Sequence, residues 1–288
     1  MRKIVLLAAS MVATLAMCVG VSAADSVPSD VNLNNFKLSW SDEFDGTSLN
    51  DAYWTPQIGN GIEYGNRGWG NNEKEYYKAE NVSVSNGTMK IKAQTEKTKA
   101  NGTTYNWTSA RITGTGKVNI GLGYVEAKIK IPSSKGIWPA FWMLGTNGKK
   151  WPACGEIDIM EYYRIKGEPH ILANAAWGTD WQWNARWNSK AIPFTHFTDK
   201  KPAWADKFHI WRMDWDETAI KIYLDDELLN EILLSETVNG TIGKGTNPFR
   251  MPQYLLLNLA LGGINGGEID DKGIPMRYEI DYVRVYQK

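Results

Sequence analysis

The sequence predicts an all-β protein in which two antiparallel sheets pack face to face as a jelly-roll sandwich, with a concave face for substrate. Three observations predict it. Apolar and polar residues alternate with a period of two through most of the chain. The alternating runs are short and bounded by Gly, Asn and Asp. No helix-period segment of useful length separates them, so βα crossovers are not available. A closed barrel is the other all-β solution.

The elements follow in order. Val82 and Val84, then Met89, Ile91 and Ala93, flank Asn86-Gly87 and predict a hairpin. Val125, Ala127, Ile129 and Ile131 alternate with Glu126, Lys128 and Lys130. Trp211, Met213 and Trp215 alternate with Arg212 and Asp214, and Ile220, Ile222 and Leu224 lead into a turn at Asp225-Asp226. Residues 233–238 could form a short helix. Residues 255–261 are almost continuously apolar, as in a strand covered on both faces. Residues 278–286 form the last strand. Neither a repeat nor a Pro/Ser-rich linker interrupts the texture after Phe36, so residues 36–288 read as one domain.

The N-terminus carries a different message. Arg2 and Lys3 precede an apolar stretch that ends in Val21-Ser22-Ala23. Residues 1–23 read as a secretory signal peptide and residues 24–35 as a polar leader. The expected location is therefore secreted or periplasmic. A membrane anchor lacks a basic stop-transfer flank, and a lipoprotein processed at Cys18 would place bulky Met17 where a small residue is wanted. Cleavage after Ala23 leaves Cys154 alone, so no internal disulfide can form. Lys+Arg and Asp+Glu number 32 each, and no basic cluster stands out. That argues against a partner bound by phosphate neutralisation, such as nucleic acid. No membrane partner is expected either, and a monomer is. His170, His196 and His209 lack ligand-like spacing, so no catalytic metal is expected.

The chemistry concentrates in Trp151-Pro-Ala-Cys-Gly-Glu-Ile-Asp-Ile-Met-Glu-Tyr-Tyr163. Glu156 and Asp158 share one face of a strand, and Ile157 and Ile159 the other. Strict alternation would put Glu161 with the isoleucines, where an unpaired carboxylate is not tolerated. One extra residue, a β-bulge near Met160, returns Glu161 to the acidic face. Three adjacent carboxyls repel, so one should keep its proton at neutral pH. A carboxylate beside a carboxylic acid is what glycoside hydrolysis requires. The bland alternative is a half-exposed strand with a solvated acidic face.

The chain has 14 tryptophans, and half of them flank this strand. Trp138, Trp142 and Trp151 precede it; Trp177, Trp181, Trp183 and Trp187 follow. Indole faces suit the apolar C–H faces of sugars. Trp138 and Trp142 point together, as a buried stripe or as a cleft wall. Trp181, Trp183 and Trp187 are interleaved with polar residues and suit an exposed ligand platform.

The chain resembles glycoside hydrolase family 16, in the branch with the bulged Glu-x-Asp-x-x-Glu strand. The motifs that carry this are Trp40-Ser-Asp-Glu-Phe-Asp45, Asn71-Asn-Glu73, Ser109-Ala-Arg-Ile112, Trp138-Pro-Ala-Phe-Trp-Met143, Glu156-Ile-Asp-Ile-Met-Glu161 and Asp281-Tyr-Val-Arg-Val-Tyr286. The resemblance implies a jelly roll with a glycan cleft and retaining endo-hydrolysis. It implies Glu156 as nucleophile, Glu161 as acid/base and Asp158 as the group that orients or tunes them. Asn72, Arg111, Trp138, Trp142 and Trp151 match positions that line sugar subsites, and we place Trp177 with them. No cofactor is required for catalysis. A structural calcium is also implied, with Glu43 and Asp281 at ligand positions.

Two departures bear on substrate. Residues 172–178 lack the His that family β-1,3-glucanases usually carry, and Gly262-Gly-Ile-Asn-Gly-Gly267 lacks their aromatic. Both tilt the expectation toward a β-galactoside in a galactan or a glycoprotein glycan. An endo-β-1,3- or mixed-linkage glucanase is the alternative. From other classes, a non-catalytic carbohydrate-binding module would use the same tryptophans, and an adhesion domain would need no cleft. The carboxyl pair argues for the enzyme.

Overall fold

The computed structural model describes residues 35–288, and the expected signal peptide and nearly all of the expected leader lie outside them. Strand follows strand as the alternation requires, in two sheets. The larger, ten-stranded sheet runs in space Glu227–Leu233, Ala219–Leu224, His209–Trp215, Gly123–Lys130, Met276–Gln287, Thr88–Ala100, Thr103–Ser109 and Tyr76–Tyr77. Lys37–Asp42 and Val82–Ser85 pair beside this path. The seven-stranded sheet runs Ala185–Pro193, Glu168–Gly178, Glu156–Ile165, Ile137–Gly145, Gln253–Leu261, Arg111–Thr113 and Thr55–Pro56. Pairing is antiparallel apart from Tyr76–Tyr77 against Thr108–Ser109.

Local chemistry sets the turns. Asn86 and Gly87 both take positive φ (54° and 69°), as a two-residue type I′ hairpin needs. Asp225 and Asp226 do the same at 46° and 70°, a conformation that short polar side chains tolerate. The expected helix over residues 233–238 is instead the end of strand Glu227–Leu233 followed by a 3-10 turn, Leu234–Glu236.

The core fills the space between the sheets. Phe141, Met143, Ile157, Ala173, Ala175, Leu255 and Leu257 face Val125, Ala127, Trp211, Met213, Ile222 and Val283 in one apolar cluster. The alternate residues of the seven-stranded sheet face away from that cluster, and they build the site. Gln253–Leu261 is covered on both faces as expected, because Leu256 and Ala260 lie opposite Trp142 and Trp138.

Phe141 is fully buried at the middle of this core. Phe141→Ala removes its packing and leaves a cavity that rigid strands cannot close. We expect a loss of about 3–5 kcal/mol, read as a lower midpoint of urea unfolding with an unchanged slope.

Candidate active site

The site is built on the central strand Glu156–Ile165. On its neighbour Glu168–Gly178, Glu156 pairs with Ala176, Asp158 with Asn174, and Glu161 with Leu172. The partner positions step by two, so all three carboxyls share one face. The register shifts between Asp158 and Glu161, and on the other neighbour between Asp158 and Met160. This is the expected bulge, and Ile159 and Met160 both sink fully into the core. Gly155 fixes the entry to the strand. Its φ is +86°, and a Cβ there would come within 2.7 Å of Pro248.

Each glutamate has its own donors. Trp151 Nε1 donates to Glu156 Oε2 at 2.9 Å. Trp138 Nε1 donates to Glu161 Oε1 and Asn174 Nδ2 to Glu161 Oε2, both at 2.7 Å. Trp138 and Trp142 are thus cleft wall, on the acidic face. Asp158, between the glutamates, is 3% exposed. Burial pushes the Glu156 carboxyl up to about 8, with the charge of Glu161 adding to it and the Trp151 bond opposing. Burial pushes Glu161 up to about 7, against its two N–H donors. Asp158 is raised well above the usual carboxylate range by burial and by both glutamates. A neutral Asp158 relieves the repulsion, and the glutamates divide the remaining charge.

A second group forms the wall beside Trp142. The Arg111 guanidinium lies over the rings of Trp69 and Trp142, 4.4 and 4.8 Å from their centroids. Its Nε donates to Gln57 Oε1 at 2.6 Å. Trp142 Nε1 donates to Asn258 Oδ1 at 2.8 Å, Asn258 Nδ2 to the Tyr77 hydroxyl at 3.2 Å, and that hydroxyl to Glu73 Oε2 at 2.9 Å. The sequence reading missed Asn174, Trp69, Gln57, Tyr77 and Asn258. A polar Asn174 among Leu172, Ala173, Ala175 and Ala176 was the one available signal.

The family described as "Beta-porphyranase A-D, GH16 domain" matches residues 36–288. The chain belongs to glycoside hydrolase family 16. It is 33% identical over 289 residues to a beta-glucanase of Rhodothermus marinus, covering 95% of this chain and 92% of that protein. It is 33% identical to the clotting factor G alpha subunit of Tachypleus tridentatus over 88% of this chain, but spans only 34% of that protein. Among solved structures, the laminarinase catalytic domain of Thermotoga maritima is 37% identical, with a TM-score of 0.76, covering 88% of this chain and 98% of that one. A keratan-sulfate endo-1,4-beta-galactosidase of Sphingobacterium multivorum is more distant, at 26% identity over 89% of this chain and 56% of that protein. The family 16 domain is an endo-acting O-glycosyl hydrolase of β-linked glycans, and its substrate is a polysaccharide.

Within this family 16 domain, one expected site residue falls elsewhere and three others have surroundings of their own. Trp177 is core. It lies on the same face as Ala173 and Ala175, is 6% exposed, and packs edge-on against Phe249. Asn72 is an exposed loop residue with φ 59°, beside Asn71, which donates to Glu73. Glu43 gives both oxygens to Arg284, at 3.0 and 2.8 Å, and Asp281 pairs with Lys128 at 3.1 Å. Calcium takes about six to eight oxygens, backbone carbonyls among them, and among the described residues no three acidic, His or Cys side chains gather to hold an ion. Cys154 is buried, and burial with the nearby Glu156 charge pushes its thiol up to about 12, leaving it inert.

The raised carboxyls fix a sign for stability. Unfolded glutamates titrate near about 4.3, while Glu156 and Glu161 titrate in the fold at about 8 and 7. Between these limits the folded state holds more protons, so stability falls as pH rises from about 5 to about 8. Thermal unfolding across that range should show the fall. Glu156→Gln, which has no proton to lose at that position, should make the fall smaller and leave the part due to Glu161.

Proposed function

We propose that this domain hydrolyses internal linkages of a β-1,3- or mixed-linkage glucan by double displacement. Glu156 attacks the anomeric carbon and forms a glycosyl–enzyme bond, while Glu161 gives its proton to the departing glycosidic oxygen. Glu161 then takes a proton from the water that releases the glycan. Asp158, neutral between them, orients the pair. The observation that carries this reading is the bulged strand, which sets both glutamates on one face with different donors. One indole N–H fixes Glu156 and two N–H groups fix Glu161, so before substrate binds the shared proton rests more on Glu156, and the reactive form is the one in which it has passed to Glu161.

The glucan preference replaces the expectation of a β-galactoside. Glucan-acting proteins stand at 31 to 37% identity and the keratan-sulfate enzyme at 26%. The missing His carries less weight than it did, because Asn174 supplies a polar group on the acidic face of that strand and bonds to Glu161. A β-galactan is the second reading, favoured by the porphyranase match over residues 36–288. The signal segment supports export, so the glycan would be met outside the cytoplasm.

Initial rates on laminarin, lichenan, porphyran and keratan sulfate test the substrate. We expect laminarin or lichenan to be fastest, with β-configured oligosaccharides as the first products by NMR. Porphyran as the best substrate would establish the galactan reading, and an α-anomer would overturn double displacement. Glu156→Gln should leave folding and glycan binding intact and lower turnover to below about a hundredth. Retention of most of the activity would remove Glu156 from the nucleophile role.

A further inference from the structure

Three of the 14 tryptophans are exposed, and they lie within seven residues of one another. Trp181, Trp183 and Trp187 are 74, 66 and 48% accessible. Such a cluster on one surface marks a binding site more often than chance exposure. Its position is fixed by strand register. Glu156 pairs with Ala176, and Ala176 pairs with Trp187 on strand Ala185–Pro193. Directly opposed residues point to the same face, so Trp187 stands on the carboxyl face, two strands or about 10 Å from Glu156. Ala176 between them offers only a methyl group.

Trp181 and Trp183 sit on the turn that enters this strand, and the turn is braced. Gln182 Nε2 donates to the Trp151 carbonyl at 2.6 Å, tying the turn to the residue that holds Glu156. Asp180 Oδ1 accepts from the Thr241 amide and hydroxyl, both at 2.7 Å. Trp183 has φ 66°, a conformation unusual for a bulky side chain, and it leaves the indole in solvent. Strain of this kind gathers at functional sites.

We propose that Trp187, with Trp181 and Trp183, forms a second sugar platform that holds the glycan on the opposite side of the carboxylate strand from Arg111 and Trp142. The strand order supports one continuous track. Arg111–Thr113, Gln253–Leu261 and Ile137–Gly145 lie on one side of Glu156–Ile165, and Glu168–Gly178 and Ala185–Pro193 on the other. On that second side the face is otherwise made of Leu172, Asn174, Ala176, Ser189 and Ala191, which offer no aromatic surface. A chain cut internally needs purchase on both sides of the cut.

This inference rests on the glycan-hydrolase reading, and the two are tested apart. Hydrolysis by the wild type identifies the glycan. The platform is tested by the ratio of kcat/KM on the hexasaccharide to that on the trisaccharide, using laminari-oligosaccharides, or agaro-oligosaccharides if the wild type cleaves the galactan. Trp187→Ala should lower this ratio about fivefold to tenfold, the scale of one lost apolar contact, and Trp187→Phe should restore most of it. Trp181→Ala with Trp183→Ala should lower it in the same direction. Calorimetric binding of the hexasaccharide to Glu156→Gln and to Glu156→Gln/Trp187→Ala should weaken by a similar factor. A ratio unchanged in Trp187→Ala, including an equal loss on both lengths, would overturn the platform.

Discussion

The structure turns on one extra residue in a β-strand. The strand Glu156–Ile165 must close an apolar core on one side and carry three carboxyls on the other. Regular alternation can do this for Glu156 and Asp158 but not for Glu161. The bulge absorbs Ile159 and Met160 into the core together and turns Glu161 back to the cleft. Core packing and the placement of the carboxyls are thus one constraint. The flanking strands Ile137–Gly145 and Glu168–Gly178 must both follow the shift, and Trp138 and Asn174 reach Glu161 because they do.

Burial then decides the electrostatics. Three acids in a poorly solvated row cannot all ionise, and the nearest cation acting on Glu156 is Arg111. That guanidinium is pinned by Gln57 and by the rings of Trp69 and Trp142 rather than paired directly with a catalytic carboxyl. A direct ion pair would lower the carboxyl and discharge the site. Held at a remove, Arg111 tempers the negative charge and leaves a proton in play near neutral pH.

The fold was legible because its signals are local. Asn86-Gly87 and Asp225-Asp226 announce their turns, and the alternation in residues 125–131 and 211–224 announces its strands. The bulge was legible for a stronger reason, since a carboxylate could not be left among isoleucines. The errors lie where a residue's partner is remote in sequence. Glu43 looked like a free acid because Arg284 is 241 residues away. Trp177 looked like cleft wall because composition was weighed and parity was not. Asn174 and Ala176 pair with Asp158 and Glu156, so the residue after Ala176 must face the core. The galactoside expectation was weakly founded for a related reason: an absent His says little until the residue that takes over its space is known.

Three tryptophans of the cleft spend their indole N–H on the protein. Trp138 donates to Glu161, Trp151 to Glu156 and Trp142 to Asn258. The Trp142 bond is the first of a chain in which every donor points the same way, through Asn258 and Tyr77 to Glu73. Such a chain needs an acceptor at its end. Glu73 is raised by burial and drawn back by Arg111 and by the donors of Asn71 and Tyr77. Glu75, fully buried, is raised the further of the two by burial and by the charge of Glu73. Glu73 is therefore the acceptor, and the orientation of the wall depends on a second acid pair behind it. With their N–H groups committed inward, these indoles can offer a sugar only their ring faces. Recognition of hydroxyls must fall to the carboxyls and to Arg111, so the aromatic wall sets where a glycan lies while the charged groups decide which glycan it is.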